Sequence, residues 1–420
     1  MLAGLADAAA DTSNDYGAYQ ALRGAVDPAK LDAAGLVRLG AFAADCFVYR
    51  DARALADSAI ARDPDSADAA QLKARVLAGS DDPAGALAAA RTAQRLDPKG
   101  QVFTVAETLI RLDRIEEARI ELERLLQDDD AGPQAERRLA LLAFREGDDE
   151  QAAGRFSERL RTGDDPAEAL YYLGALAERH GNQQAALEMY NRLVQAGAGL
   201  VARSRAAAVL MRQGKRDAAF AMLDGEEADK PRVAIEVVID KAALLRDNDA
   251  AADALPMLDA ALERFPQHPD LMYQRALTLE AAGRKADSIA AFEALHRARP
   301  DDPALMNALG YTLADHGKSL ARANRLIDAA LALTPDNPAI LDSQGWVRFR
   351  RGEADQALAP LARAYRLSRD TDIAVHWGEV LWSLGREGEA RAVWARAVAR
   401  DPESRLLRQS IRRHIPAPSE

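Results

Sequence analysis

A small residue recurs along this chain at intervals of 32 to 35 residues. Twelve or thirteen residues behind it runs a second series, in which all but one member is alanine. Small residues let two helices approach closely, so each interval predicts one pair of packed helices. The first series comprises Gly40, Ala74, Ala106, Ala140, Gly174, Ala207, Ala242, Ala276, Gly310, Gly345 and Gly378. The second comprises Ala52, Ala86, Ala118, Ala152, Ala186, Ala219, Ala254, Ser288, Ala323, Ala357 and Ala390.

The last interval shows the physical cause of each position. Gly378 lets the first helix approach the second, and Gly385 supplies the positive φ that the turn between them requires. Ala390 and Ala397 keep the contact ridge of the second helix low, and Trp394 fills the remaining space. Proline can end one helix and start the next, and prolines close many intervals. They stand at Pro64, Pro98, Pro266, Pro300, Pro335 and Pro402.

Four positions depart from this pattern. Asp113 and Asp249 stand where most intervals have the turn glycine. Pro256 and Pro360 fall early in their second helices, and we expect them near the helix start or at mild kinks, because an interior proline costs about 3 kcal/mol. The periodicity predicts helix pairs in these intervals all the same.

The period and its residues resemble the tetratricopeptide repeat family, whose 34-residue unit is a helix-turn-helix. The resemblance covers about residues 33–404 and implies an all-α, right-handed superhelical solenoid of about eleven repeats. We expect an N-terminal helical segment in 1–32, with a helix over 16–26 and a turn at 27–28. In 405–420 we expect a capping helix and tail, because Leu406, Leu407 and Ile411 share one side.

Composition argues against several other classes of protein. Only 5% of the 420 residues are aromatic, and the net charge of −11 disfavours broad nonspecific binding to nucleic acid or anionic membrane. The single cysteine, Cys46, excludes an intramolecular disulfide framework, and we expect it as a buried thiol. No stretch approaches the roughly 18 apolar residues of a membrane span, and the first residues lack the pattern of an export signal.

No constellation of residues makes a case for catalysis. The histidines are scattered without metal-ligand spacing, and 197–199 is a glycine-rich turn without the lysine of a phosphate-binding loop. The acidic runs at 128–130 and 226–227 are expected to be solvated loops. We therefore predict no enzyme activity, no catalytic residue, no metal site and no cofactor.

Binding is predicted on the first helices, which line the concave groove of such a superhelix. Large residues that packing does not require are the candidates there, with the alternative that individual rings pack between repeats. The candidates are Tyr171, Tyr273, Asn307, Tyr311, Asp342, Trp346, Arg350, Glu379 and Trp382. All four tryptophans lie in 336–420, a segment with 14 basic and 12 acidic residues, which makes it the preferred contact region.

A closer resemblance is carried by NALGYTLADHGK at 307–318, PDNPAILDSQGW at 335–346 and HWGEVLW at 376–382. These runs look like bacterial envelope tetratricopeptide proteins, often lipoproteins, that include an adaptor of a carboxyl-terminal processing protease. The resemblance implies a scaffold that brings a periplasmic serine protease to substrates such as cell-wall hydrolases, at a periplasmic or outer-membrane-associated location. The residues that follow Met1 show neither the pattern of a signal peptide nor a cysteine for lipidation, and in this they differ from that group.

Other partners stay open at the level of sequence. A cytoplasmic scaffold for another multiprotein complex is one alternative, and it would apply if the chain has no export signal. Nucleic-acid binding through Arg405, Arg408, Arg412 and Arg413 is another, although aromatic stacking motifs are absent. A clamp for a carboxyl-terminal tail is not expected, since Asn307 is followed one and two repeats on by Asp342 and Val375 and not by basic residues.

Overall fold

The periodic sequence folds into successive pairs of helices. The computed structural model describes residues 15–80, 82–225, 231–402 and 404–415, and these contain α-helices, two short 3-10 helices and no β-strand. Eleven helix pairs follow one another, preceded by one helix and followed by one more. The chain is therefore an all-α repeat solenoid, as the periodicity predicts.

The first half of the chain forms helices α1 to α11. Their bounds are α1 Asp15–Ala25, α2 Ala33–Asp45, α3 Tyr49–Arg62, α4 Ala67–Gly79, α5 Pro83–Leu96, α6 Thr104–Arg111, α7 Ile115–Arg124, α8 Gly132–Glu146, α9 Asp149–Thr162, α10 Pro166–Arg179 and α11 Gln183–Gln195. The two 3-10 helices are Pro28–Lys30 and Leu125–Gln127.

The second half forms helices α12 to α24. Their bounds are α12 Gly199–Arg212, α13 Arg216–Leu223, α14 Pro231–Asp247, α15 Ala251–Arg264, α16 Pro269–Ala281, α17 Lys285–Ala298, α18 Pro303–Asp315, α19 Leu320–Leu333, α20 Pro338–Arg350, α21 Ala354–Ser368, α22 Thr371–Ser383, α23 Glu387–Arg400 and α24 Arg405–His414. In each pair from α2/α3 to α22/α23, the even-numbered helix is the first.

Side-chain caps fix where several first helices begin. The Asp302 carboxylate accepts the backbone N–H of Ala304 at 2.9 Å, and Asn337 caps α20 in the same way. A proline follows each cap as the first helical residue, where its missing N–H costs nothing because that donor has no intrahelical partner.

The turns inside the pairs require a left-handed residue. Gly385 has φ +74°, and Asp113 and Asp249 occupy the same position with φ +62° and +59°. Aspartate tolerates this region better than most residues, because its short side chain can hydrogen-bond locally. The intervals that have aspartate at 113 and 249 therefore form the same turn as those with glycine.

The repeated glycines are contact points between the helices of a pair, as Gly310 and Gly378 illustrate. A Cβ on Gly310 would lie 2.8 Å from Cδ1 of Ile327, and one on Gly378 would collide with the indole of Trp394. Trp394 is 1% exposed and fills the space against Gly378, as the spacing predicts.

The expectation for the two helix prolines is corrected by their positions. Pro256 is the sixth residue of α15 and Pro360 the seventh of α21, so both lie inside a helix and not in its first turn. Each removes one backbone donor from the helix. The burial of Leu258 and Leu361 beside them shows that packing keeps these helices continuous despite the proline.

The helices group into two compact units. The first contains 1–139, 300–399 and 404–420, and the second contains 140–299 and 400–403. In the first unit, the ring of Tyr19 on α1 meets Phe42 edge-on, and its hydroxyl donates to Asp51 at 2.9 Å. Cys46 is buried in the same core. In the second unit, the Glu178 carboxylate accepts from Tyr190 and Arg205 at 2.5 and 2.7 Å.

The two ends of the described chain are helical. The N-terminal helix α1 lies within one residue of the predicted limits 16–26. At the C-terminus, Leu407 of α24 is fully buried, while Leu406 is 39% exposed. None of the described helices combines the length and apolar character that crossing a bilayer requires. The acidic pair at 226–227 and the tail after Ile415 lie outside the described residues.

Candidate functional site

Most of the predicted binding residues lie on α18, α20 and α22, the first helices of the last three pairs. Four of the nine are brought together there, with two residues that the sequence did not single out. We call this group the α18–α22 cluster. It consists of Tyr311, Asp315, Asp342, Trp346, Arg350 and His376.

His376 is at the centre of the cluster. Its Nδ1 lies 2.9 and 3.0 Å from the two carboxylate oxygens of Asp342. Its ring stacks on the indole of Trp346 with centroids 4.4 Å apart, and the Tyr311 hydroxyl lies 3.4 Å from its Nε2. An ionised carboxylate only accepts, so Nδ1 carries the proton. One imidazole thus joins side chains from three successive first helices.

The charge state of His376 follows from its neighbours. Burial acts to lower the pKa of His376, but the charge and hydrogen bond of Asp342 oppose it, and Glu379 and Asp372 add to their effect. The carboxylates prevail, so the pKa of His376 is raised above its ordinary value of about 6.5. The imidazolium form is therefore favoured beside Asp342.

Asp315, at the end of α18, adds a second anchor. The indole Nε1 of Trp346 lies 3.3 Å from its Oδ1. Nη1 of Arg350 donates to the backbone carbonyl oxygen of Asp315 at 2.6 Å and to the Oδ1 of Asp315 at 3.1 Å. Trp346 is 8% exposed, whereas Tyr311 and Arg350 are half-buried. Trp346 therefore forms the floor of the cluster, and Tyr311 and Arg350 supply its accessible side chains.

Asn307 lies one helical turn before Tyr311 on α18. Its Oδ1 is buried and accepts no hydrogen bond from the described residues. A buried amide oxygen without a donor is uncommon in folded proteins. The oxygen is an unused acceptor, and a ligand N–H would reach it only if the side chains that cover it moved aside.

Glu379 and Trp382 are covered by the terminal helix α24. The Glu379 carboxylate accepts from Ser410 Oγ at 2.8 Å and from Arg413 Nη2 at 2.6 Å, and it is 8% exposed. The Trp382 ring stacks on Trp394 at 5.8 Å and packs against His414. The structure therefore uses these two predicted contact residues to dock α24.

Tyr171 and Tyr273 belong to the second unit and are half-buried among other rings. Tyr171 packs edge-on against Tyr172 at 5.2 Å, with the Arg205 guanidinium 5.9 Å from its centroid. Tyr273 packs edge-on against Phe292 at 5.6 Å. Both rings thus contribute to packing within and between pairs, the alternative weighed for individual aromatic residues.

His376 and Asp315 are the cluster members that the sequence did not single out. Asp342 and His376 are 34 residues apart, which is one repeat. Residues one repeat apart on neighbouring first helices can meet, so this spacing is a signal. The glycine register instead aligned Asp342 with Val375, and Val375 is 1% exposed in the core. Asp315 lies at the end of α18, where the position of a residue in the repeat says least about which face of the helix it occupies.

A family model described as "Tetratricopeptide repeat" matches residues 49–100, 137–200, 239–303 and 307–371, more than half of the chain. The TPR repeat-containing protein PA4667 of Pseudomonas aeruginosa is 33% identical over 211 residues, which are 50% of this chain and 36% of that protein. The matched part of the chain thus spans about a third of that relative.

Solved structures of repeat proteins are also similar. The thermophilic TPR protein TTC0263 of Thermus thermophilus is 24% identical, with a TM-score of 0.38 over 41% of this chain and 95% of that one. Yeast Tom70 is 15% identical, with a TM-score of 0.44 over 90% of this chain and 94% of that one.

Proposed function

The chain belongs to the tetratricopeptide repeat family, whose repeats indicate a protein–protein interaction scaffold, and from this premise we propose that it is a non-enzymatic adaptor. Its partner binds on the first-helix face of α18 and α20, at the α18–α22 cluster and Asn307. The observation that carries the proposal is the gathering of Tyr311, Trp346 and Arg350 around His376.

The chemistry of this face suits a polypeptide. Tyrosine, tryptophan and arginine are the residues that most often anchor protein interfaces, because they combine large contact area with hydrogen bonding. The unpaired Oδ1 of Asn307 adds an acceptor for a backbone N–H. A partner segment lying across α18 and α20 would meet aromatic, cationic and amide groups within two helix pairs.

The arrangement of Asp342 and His376 suits this role better than catalysis. An Asp–His pair serves nucleophilic catalysis when its second nitrogen faces an activated hydroxyl or thiol. Here the group nearest Nε2 is the phenol of Tyr311, at 3.4 Å, and His376 is 8% exposed. The pair therefore serves to hold the rings of the cluster in place.

The finer proposal names the partner as a carboxyl-terminal processing serine protease, with cell-wall hydrolases as its substrates, in the periplasm. It rests on the resemblance carried by 307–318, 335–346 and 376–382. These runs contain Asn307, Tyr311, Asp342, Trp346 and His376, so the residues that carry the resemblance also build the candidate surface.

A pull-down with matched variants tests the proposal. The baits are the parent chain, a Tyr311→Ala/Asn307→Ala double variant and an Asn324→Ala control, applied to soluble and envelope fractions and read by mass spectrometry. Asn324 lies on the second helix α19 and donates to Asp328, which also accepts from Gln344 of α20. None of these three residues belongs to the α18–α22 cluster, so the control alters no residue of the proposed surface. We expect the double variant to recover about tenfold less partner than the parent and the control.

The identity of the recovered proteins tests the finer proposal separately. A processing protease or cell-wall hydrolase in the parent sample supports the envelope adaptor. Recovery of a cytosolic complex alone would favour the cytoplasmic scaffold and overturn the protease assignment. Equal recovery by all three baits would overturn the assignment of the surface to α18 and α20.

A further inference from the structure

A cavity of about 230 Å³ in the first unit is lined by an unusual number of arginines. Its walls come from α4, α6 and α21, the first residues of α3 and α5, and the turns that follow α6 and α21. None of its residues belongs to the α18–α22 cluster. The five arginines are Arg75, Arg111, Arg363, Arg366 and Arg369, and one carboxylate, that of Asp113, lines the same cavity.

Three of these guanidinium groups have carboxylate partners. Arg369 pairs with Asp113 at 2.5 Å. Arg75 pairs with Asp45 and Arg363 with Asp336, and neither of these aspartates lines the cavity. Of these three acidic partners, only Asp113 lines the cavity. The cavity itself keeps an excess of positive charge.

Two arginines on its wall have N–H donors without a partner among the described residues. Nε of Arg75 is buried and has no hydrogen-bond partner in the described part of the chain. Arg111 forms no hydrogen bond or ion pair with a described residue and has an exposed side chain. A buried guanidinium nitrogen without an acceptor costs free energy that a bound acceptor would restore.

Tyr49 gives the cavity an aromatic wall beside these donors. Burial raises the pKa of Tyr49, and the positive charges of Arg111 and Arg75 oppose that rise. The Tyr49 phenol therefore interacts electrostatically with both guanidinium groups. Arg75 and Arg111 also border a second cavity of about 250 Å³ on the face of α2, α4 and α6, so the two donors are approached from two sides.

We propose that the arginine-lined cavity is an oxyanion site, which receives the phosphate or carboxylate group of a ligand. Guanidinium groups present forked N–H donors that match the paired oxygens of both groups. Arg111 supplies exposed N–H donors, and Arg75, Arg363, Arg366 and Arg369 supply the surrounding positive charge. The site is independent of the proposed partner surface.

Isothermal titration calorimetry with inorganic phosphate tests the site. The buffer is low in salt, and chloride keeps its ionic strength constant. We compare the parent, Arg111→Gln and the control Arg95→Gln. Arg95 is an exposed arginine of the same unit that lies outside the cavity lining, so both variants lose the same charge. We expect Arg111→Gln to bind phosphate about tenfold more weakly than the parent and Arg95→Gln to match the parent.

A pair of short peptides ending in leucine distinguishes the source of the oxyanion. One has a free carboxyl-terminus and the other an amidated one. Binding of the free acid, weakened by Arg111→Gln and absent for the amide, supports the site with a carboxylate as its ligand even if phosphate fails. If neither probe binds, or if Arg95→Gln weakens binding as much as Arg111→Gln, the proposed oxyanion site is wrong.

Discussion

Nδ1 of His376 lies within 3.0 Å of both carboxylate oxygens of Asp342, and the two residues are separated by one repeat. This bond links α22 to α20, as the contacts of Trp346 and Arg350 with Asp315 link α20 to α18. Both side chains are buried, at 8% exposure each, so the pair is shielded from solvent. We therefore expect the stability of the C-terminal pairs to depend on pH.

The direction of that dependence follows from the raised pKa of His376. The folded state holds the proton more tightly than the unfolded state, whose histidine has a pKa near 6.5. The stabilisation is therefore complete below about pH 6.5 and is lost as the pH rises through the folded-state value. We expect the free energy of unfolding of the parent to fall over that window relative to His376→Asn.

Urea unfolding of both proteins from pH 5.5 to 9 measures this difference. Asparagine keeps a donor for Asp342 but cannot become charged, so it removes the titration and retains a hydrogen bond. Asp342, Glu379 and Asp372, the acidic groups around His376, are present in both proteins. A difference that stays constant or grows with pH would show that His376 is not the titrating group.

The close approach at Gly378 predicts a loss of stability on substitution. A Cβ there would collide with the indole of Trp394, which is 1% exposed and packed in the core. We expect Gly378→Ala to destabilise the protein by about 1–3 kcal/mol through overpacking. Gly154→Ala is the control, because Gly154 is an exposed residue inside α9 with no neighbouring atom within 4 Å of the place that a Cβ would occupy.

We expect the control Gly154→Ala to change the free energy of unfolding in the opposite direction. Alanine in place of an exposed helical glycine reduces the conformational freedom of the unfolded chain, and we expect about 0.5–1 kcal/mol of stabilisation. Chemical denaturation of the two variants and the parent measures both effects. Equal effects of the two substitutions would mean that contact with Trp394 does not explain the glycine at 378.

The helix pairs could be predicted from sequence because their signal is repeated eleven times. Asp113 breaks the glycine pattern, yet the period around it predicts the turn that its positive φ confirms. Position within a pair is fixed by local spacing of small residues, which a single sequence displays. This is why Gly310, Gly378 and Trp394 lie where the pattern places them.

The candidate surface was less predictable, because contact between repeats depends on details that local spacing does not contain. Helical position put Glu379 on the first-helix face correctly, but α24 folds back over it through Ser410 and Arg413. His376 was missed because a shift of one residue in register separates it from the buried Val375. The cavity arginines of α4, α6 and α21 are far apart in sequence, and no motif connects them.

The ion pair between Asp113 and Arg369 predicts a measurable coupling between distant parts of the sequence. Both residues have positive φ, and their side chains meet at 2.5 Å within the first unit. Because Asp113 is 44% exposed, solvent screens the pair, and we expect a coupling free energy of only about 0.5 kcal/mol.

A double-mutant cycle with Asp113→Asn and Arg369→Gln measures that coupling. Asparagine tolerates the left-handed backbone at 113, so the first variant removes the charge without adding strain there. The coupling should decrease when salt is raised from about 0.1 to 1 M, since the screening length shortens. A coupling of zero at low salt would mean that the pair does not join these segments in solution.

Two neighbouring leucines of the terminal helix α24 differ sharply in their exposure to solvent. Leu407 is fully buried against the last pairs, whereas Leu406 beside it is 39% exposed. We expect Leu407→Ala to lower the free energy of unfolding by about 2–5 kcal/mol, because it leaves a cavity, and Leu406→Ala to lower it by less than about 1 kcal/mol.

Thermal unfolding monitored by tryptophan fluorescence measures both variants, since Trp382 and Trp394 lie against His414 of α24. The two substitutions remove the same atoms and change helix propensity alike, so only docking separates them. Similar losses for both would show that α24 is not held by the burial of Leu407, and that Glu379 with its bonds to Ser410 and Arg413 carries the attachment.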